Sequence, residues 1–334
     1  MKVTICGGGS LGHICVGVLS SHKDVEVSLL TNRPTQWGSR IVVTDMAGKE
    51  YAADIVNISN RAQDVIADAD MVVICQPGFL IEGTLQQIKP WLKEGAVVGS
   101  LVSSTGFFFQ AHKILTERVG LFGFQRTPFI ARVEQYGHSA RLLGYKNEVA
   151  IAVENVADAE QFRQMVERLF ITPTVLRSNY YEVSLTNSNP ILHTGRLYSM
   201  WSNWNGEVYD HNILFYKEWT DEASQLLIDM DAEFMTLLEK LPVAKGAIPS
   251  LLEYYESTDA ASLTRKISSI AAFQTITSPM QEVEGGWVPD FSSRYFTEDF
   301  PFGLKYIKDM AIECGVITPT IDKVLVWGLS KIER

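Results

Sequence analysis

The sequence predicts an α/β protein in two parts, an N-terminal doubly wound parallel sheet followed by an all-helical C-terminal domain. Three observations predict it. Short apolar runs alternate with helical patterns through the first half of the chain, as in a parallel sheet covered by helices. A glycine-rich turn follows the first of these runs directly. From about Ser178 long helical patterns take over and no strand series continues. A chain of 334 residues also exceeds the usual size of one domain, so the expected division is residues 1–177 and 178–334.

Each element has its own local signal. Val3–Cys6 is the first strand, and an apolar helix runs from Leu11 to Leu19. Val25–Leu30 is the second strand; Ile41–Thr44 and Tyr51–Val56 flank an Ala47-Gly48 turn and predict a local hairpin rather than a crossover. Met71–Cys75 and Ala96–Leu101 continue the sheet, and Gly120–Phe124 and Val149–Val153 extend it. In the second half, Asn189-Pro190 interrupts an apolar pattern from Tyr181 to Trp204, and a proline there either starts or kinks a helix. Thr220–Lys240 and Phe302–Cys314 are the longest helical patterns after it.

Composition excludes several functions. Apolar residues make up 46% and charged residues 20%, the balance of a globular protein. The formal charge of -10 is interspersed along the chain, with no basic stripe to follow a phosphate backbone, so nucleic acid is not an expected partner. No run of about 18 apolar residues exists to cross a membrane, and no basic region leads into a cleavable apolar stretch, so the expected location is cytoplasmic. Cys6, Cys15, Cys75 and Cys314 are scattered without metal-ligand spacing; no metal site is expected, and the first three read as small core hydrophobes.

Gly7-x-Gly9-x-x-Gly12 lies between the first strand and the first helix, the context a dinucleotide fingerprint requires. The first glycine permits the turn, the second lets backbone amides approach a pyrophosphate, and the third allows the helix to pack close to the strand. Gly7, Gly9, Ser10, Leu11 and Gly12 are therefore expected to hold a nicotinamide dinucleotide in a Rossmann-type domain, with the helix N-terminus facing the anion. The second strand ends Leu30-Thr31-Asn32-Arg33-Pro34, with no carboxylate to accept ribose hydrogen bonds. Arg33, beside Asn32, suits a 2'-phosphate, which favours NADP(H) over NAD(H). Gln76 and Pro77, after the Met71–Cys75 strand, and Ser103-Ser104-Thr105-Gly106 are candidates to line the nicotinamide, although a plain turn explains each equally well.

Hydride transfer to a carbonyl or imine needs a proton donor and an anchor for the substrate's anionic end. Two segments offer both. In Asn187-Ser188-Asn189-Pro190-Ile191-Leu192-His193, Asn189 and His193 stand four apart and share one helix face. The other is Arg294-Tyr295-Phe296-Thr297-Glu298-Asp299-Phe300-Pro301-Phe302-Gly303-Leu304. Together they resemble the NPxxH and RYxxEDxP[YF]GL segments of the opine dehydrogenase family, which includes octopine and nopaline dehydrogenases, and Pro128-Phe129-Ile130-Ala131-Arg132 is similar to that family's proline-aromatic segment ending in arginine.

The resemblance implies reductive condensation of an amino acid with a 2-oxo acid, giving a secondary-amine dicarboxylate as NAD(P)H is oxidised. It implies His193 as general acid and base, Asp299 as its partner, Arg294 as a carboxylate anchor, and Arg132 and Asn189 as further substrate contacts. Each residue also has a plainer reading. His193 can be a satisfied core histidine. Asp299 can cap a helix ahead of Pro301. Arg294 can form a surface pair with Glu298. Tyr198, Trp201 and Trp204, at helical spacing, read as core, with an apolar wall for the amine substrate as the alternative. Two other functions stand beside the first: a ketopantoate-type or other 2-hydroxyacid reductase, which generally uses a lysine that the sequence does not supply near His193 or Asp299, and a non-catalytic NADP(H)-binding regulator. The expected partners are small-molecule substrates, and a homodimer is left open.

Overall fold

The structure, a computed structural model, describes residues 1–332 and divides into two compact units at Thr186/Asn187. The first carries twelve strands: β1 Lys2–Cys6, β2 Glu26–Leu30, β3 Arg40–Asp45, β4 Glu50–Asp54, β5 Asn57–Ser59, β6 Met71–Ile74, β7 Val97–Ser100, β8 Gly120–Phe124, β9 Phe129–Gln135, β10 Ser139–Tyr145, β11 Val149–Glu154 and β12 Thr174–Leu176. Eight form the main sheet, in the order β12-β11-β8-β7-β6-β1-β2-β5. From β5 to β8 every pairing is parallel; β11 joins β8 antiparallel, and β12 pairs parallel to β11. From β1 the chain builds outward through β2 to β5, then returns to the other side of β1 through β6. The order therefore reverses between β1 and β6, and crevices form at the carboxyl ends of strands at such switch points.

A second sheet, β4-β3-β10-β9, stands beside the first. Its β3–β4 hairpin is the one expected from the Ala47-Gly48 turn; β9 and β10 are strands the sequence reading did not anticipate. Their burial alternates only in part, as in BeBeiee for β9, and they take their place by pairing β10 with β3 from about a hundred residues away. The helix Ser10–Ser20 packs against strands of both sheets, which is why Gly12 to Leu19 are all buried although a helix with one covered face would show a polar stripe.

The boundary lies nine residues beyond the expected one, at Thr186 instead of 177. The helix Tyr181–Ser184 belongs to the first unit because Val183 joins the apolar cluster of Phe107 and Phe108, while Tyr180 stacks on Phe108 at 5.3 Å. Cys6, Cys15 and Cys75 are buried with free thiols, and Cys314 is partly buried. Among the described residues no three His, Cys, Asp or Glu side chains are arranged to hold a metal, and no helix is long and apolar enough to cross a membrane.

The second unit is helical, with Asn189–Trp201, Asp221–Leu238, Ala260–Ser269, Lys305–Glu313 and Pro319–Ile332 as its longer helices. One departure from the all-helical expectation is an antiparallel hairpin, β13 Met280–Val283 with β14 Gly286–Pro289. Asn189-Pro190 starts its helix rather than kinking one, because proline's missing amide costs nothing in a first turn. Trp201 is fully buried and stacks on Phe296, so at that position the core reading holds.

The tightest approach between the first helix and the second sheet is at Gly17, where an added Cβ would lie 2.3 Å from Val43 Cγ2. Gly17→Ala is expected to destabilise the first unit by about 1–3 kcal/mol through overpacking, read as a lower urea midpoint. A midpoint equal to the parent's would mean that the helix and sheet are not packed this closely.

Candidate active site

In the first unit, the glycine turn and the end of β6 bound a crevice of about 420 Å³ at the switch point. Gly7 takes φ +119°, a conformation side chains disfavour, and any Cβ on Gly12 would lie 1.9 Å from the Gly7 carbonyl oxygen. These two positions set the turn. Gly9 is different: a Cβ there would meet nothing within 4 Å, and Gly9 itself lines the crevice. A side chain at Gly9 would occupy open space beside the start of the helix Ser10–Ser20, which begins without a side-chain cap. Uncapped amides carrying the positive end of a helix dipole, beside backbone stripped of side chains, fit a pyrophosphate.

Of the remaining expected cofactor contacts, Asn32, Arg33, Gln76 and Pro77 line the same crevice, and Ser10 and Leu11 are not on its lining. Asn32 and Arg33 are exposed at the end of β2 and line it. Gln76 and Pro77 line it from the end of β6; the Gln76 amide oxygen accepts a hydrogen bond from Thr84 at 2.6 Å, and Pro77 precedes the helix Gly78–Ile88. Ser10 and Leu11 form the first turn of the first helix. Among the described lining residues, Arg33 is the one that carries a charge.

Two contributors were not visible in the sequence. Tyr136, in the turn between β9 and β10, lines the crevice with the Arg33 guanidinium 5.9 Å from its ring centre. His13 holds that turn in place: its Nδ1–H donates to the Gly9 carbonyl at 2.9 Å, and its Nε2 accepts the Gly137 amide hydrogen at 2.7 Å. Packed 4.2 Å from Trp37 and 5.1 Å from Tyr136, the imidazole is kept neutral by burial, which lowers its pKa. A neutral ring with one donor and one acceptor is what this double bond requires.

In the second unit, His193 lies one turn into the helix Asn189–Trp201 and is 9% exposed. Its Nδ1 lies 2.8 Å from Asp299 Oδ2, across 106 residues of chain. Asp299 is placed by a π-turn, Phe300–Leu304, in which the Leu304 amide donates to the Asp299 carbonyl. Gly303 permits that turn to approach the helix start, since a Cβ would lie 2.9 Å from Pro190. The Asp299 carboxylate makes no capping bond to the helix that follows, so here its partner is the imidazole rather than a helix end.

His193 Nε2 is 3.0 Å from the Tyr216 hydroxyl, a contact the sequence reading missed because nothing in the local pattern marks Tyr216. Tyr295 covers the imidazole with its ring centre at 4.6 Å, and Phe215 meets it edge-on at 5.6 Å. With the aspartate accepting from Nδ1–H, the neutral ring presents Nε2 as a base, the tautomer a proton-transfer group needs.

The substrate-contact candidates are less closely gathered. Asn189 is partly buried, one helical turn before His193, and its amide donates to the Asn187 side chain. The Arg294 side chain is 78% exposed and only 3.7 Å from Glu298, so the expected surface pair exists but is loose, contributing about 0.5 kcal/mol or less. Arg132 is exposed on β9, directly opposite Arg141 on β10, in the first unit.

Comparison with known proteins agrees with this arrangement. Residues 176–331 match the family described as NAD/NADP octopine/nopaline dehydrogenase, alpha-helical domain. The whole chain is 28% identical to octopine dehydrogenase of Mizuhopecten yessoensis, covering 90% of that protein. Over 98% of its length it is 29% identical to tauropine dehydrogenase of Arabella iricolor, again covering 90%. A solved structure of octopine dehydrogenase with NADH and L-arginine matches with a TM-score of 0.88 at 26% identity, over 100% of this chain and 90% of that one. Residues 176–331 thus match the alpha-helical domain of the octopine/nopaline dehydrogenase family, and over its whole length the chain is similar to octopine and tauropine dehydrogenases.

Proposed function

We propose that this chain is an opine-type dehydrogenase that condenses an amino acid with a 2-oxo acid and reduces the product with NADPH. The observation that carries the reading is the buried His193–Asp299 bond, within the segment that matches the family's helical domain. The relatives named octopine and tauropine dehydrogenase support the same class of chemistry.

His193 has two tasks in this reaction. As a base through Nε2, from which the incoming ammonium displaces the Tyr216 hydroxyl, it takes a proton from the substrate's amino group and frees the amine to attack the 2-oxo carbon. As an acid it returns a proton to the carbinolamine oxygen, which departs as water and leaves a protonated imine, ready to accept a hydride. Asp299 stabilises the imidazolium formed between the two steps. Gly7, Gly9, Gly12 and Arg33 would hold the reduced nicotinamide dinucleotide, which would supply the hydride for the reduction.

Arg294 holds the 2-oxo acid's carboxylate, since a guanidinium engaged only at 3.7 Å keeps donors for a paired, two-point bond. Asn189, one turn from His193, orients the substrate's polar end. Arg132, exposed on β9, provides a second positive charge for a carboxylate, whereas Arg141 opposite it is paired with Glu134 at 2.8 Å. Arg33 selects NADPH: it is the charged residue lining the crevice, and the second strand ends without the carboxylate that would repel a 2'-phosphate.

NADPH absorbance followed against a panel of 2-oxo acids, each with and without amino acids, tests the reaction. Oxidation that requires both substrates is expected; turnover with the oxo acid alone would make the chain a hydroxyacid reductase, and tight binding without turnover a sensor. His193→Asn should lower kcat by about two to four orders of magnitude while NADPH affinity, read by fluorescence titration, stays within about twofold. Full turnover in that variant would remove the imidazole from the mechanism. Arg33→Asp should weaken NADPH by at least about tenfold more than NADH, because it both removes a phosphate donor and adds repulsion; equal losses would rule out contact with the 2'-phosphate.

A further inference from the structure

We propose that Tyr216 is a positioning residue for His193, holding the imidazole by its Nε2, with Arg196 fixing the segment that carries it. The inference rests on the reading of His193 as the acid–base group, but its first test needs no turnover.

The geometry starts at the hydroxyl. At 3.0 Å from Nε2, and with Nδ1–H already donating to Asp299, the Tyr216 O–H has one arrangement open to it: it donates to the Nε2 lone pair of the neutral ring. Burial, and behind it the neighbouring Tyr295, Tyr255 and Asp299, push the phenol's pKa above its ordinary value, so it remains a protonated donor across the working pH range. With Asp299 on Nδ1 and Tyr216 on Nε2, the ring is held at both nitrogens.

Tyr216 is itself held rigidly. Its ring stacks on Phe273 at 4.5 Å and on Trp219 at 6.1 Å. The Arg196 side chain, three residues past His193 on the same helix, donates from Nε to the Phe215 carbonyl at 3.2 Å and from Nη2 to the Glu218 carbonyl at 2.6 Å. One buried guanidinium therefore ties the backbone on both sides of Tyr216 to the helix that carries the imidazole. Burial draws the Arg196 pKa down to about 10, which leaves it charged at neutral pH and able to make both bonds. No substrate contact is needed to explain a buried arginine used in this way. The titratable groups facing the imidazole among the described residues are Asp299, Tyr216 and Tyr295, with Tyr255 and the Arg196–Glu218 pair behind Tyr216.

The test is the 15N NMR spectrum of labelled histidine in the full-length chain, recorded with the imidazole neutral and with the His193 resonances assigned by their loss in His193→Asn. Tyr216→Phe keeps the stacked ring and removes only the hydroxyl; without a donor on its lone pair, the His193 Nε2 resonance should move downfield toward that of an unbonded ring nitrogen. Tyr295→Phe is the control, since that ring lies tilted at 45° to the imidazole: the same substitution there should leave the Nε2 resonance in place. An unmoved resonance in Tyr216→Phe, or equal shifts in the two variants, would overturn the proposal. With a substrate pair in hand, Tyr216→Phe should also lower kcat by about tenfold and leave the NADPH KM unchanged. A moved resonance in a chain that turns over no substrate pair would sink the proposed reaction and leave the role of Tyr216 standing.

Discussion

The second unit is organised around one hydrogen bond, from His193 to Asp299. Bringing an imidazole and a carboxylate largely out of water is unfavourable unless each satisfies the other, and removing one partner from such a pair costs about 3–5 kcal/mol because the remaining group is left uncompensated. The surrounding structure meets that requirement. A proline starts the helix that carries the histidine, a π-turn presents the aspartate, and Gly303 lets the two backbones approach. Tyr216 and Tyr295 close the ring off from solvent. A pair this constrained is preorganised: packing fixes its geometry before any ligand arrives.

The first unit meets a different electrostatic demand. The chain carries a formal charge of -10, while a nicotinamide dinucleotide and a 2-oxo acid are both anionic. Net charge would repel them, so attraction has to be supplied locally. A helix end worth roughly half a positive charge faces the crevice, and Arg33 is the charged residue on its lining. His13 could not join this anion-binding set as a cation; it is kept neutral so that it can bond the glycine turn and the β9–β10 turn at once. The histidines of the two units are thus held differently: His13 bonds two backbone groups, whereas His193 bonds two side chains, Asp299 and Tyr216.

Much of this was legible in the residues. The glycine loop could be read because its task is local: strand, turn and helix are contiguous, and each glycine answers a backbone constraint within a few positions. The β3–β4 hairpin was legible for the same reason. The strands β9 and β10 were not, since their place depends on pairing with β3, and the domain boundary moved because Tyr180 and Val183 find their partners in Phe107 and Phe108 rather than in their neighbours. Arg294 illustrates the intermediate case, where sequence spacing foresaw the Glu298 contact and only the structure showed how loose it is.

By itself the sequence determined the two-part α/β architecture, the glycine crevice and the identity of the two ionisable residues in the NPxxH and ED segments, because these depend on periodicity, turn chemistry and short motifs. Tertiary structure alone decided that Asp299 meets His193 instead of capping its own helix, that Tyr216 occupies the second imidazole nitrogen, and that His13 ties a distant turn to the glycine loop. The physical reason is the same in all three. A polar group can satisfy itself with a local backbone partner or a distant side chain at similar cost, and only the packing that excludes water determines which partner it finds.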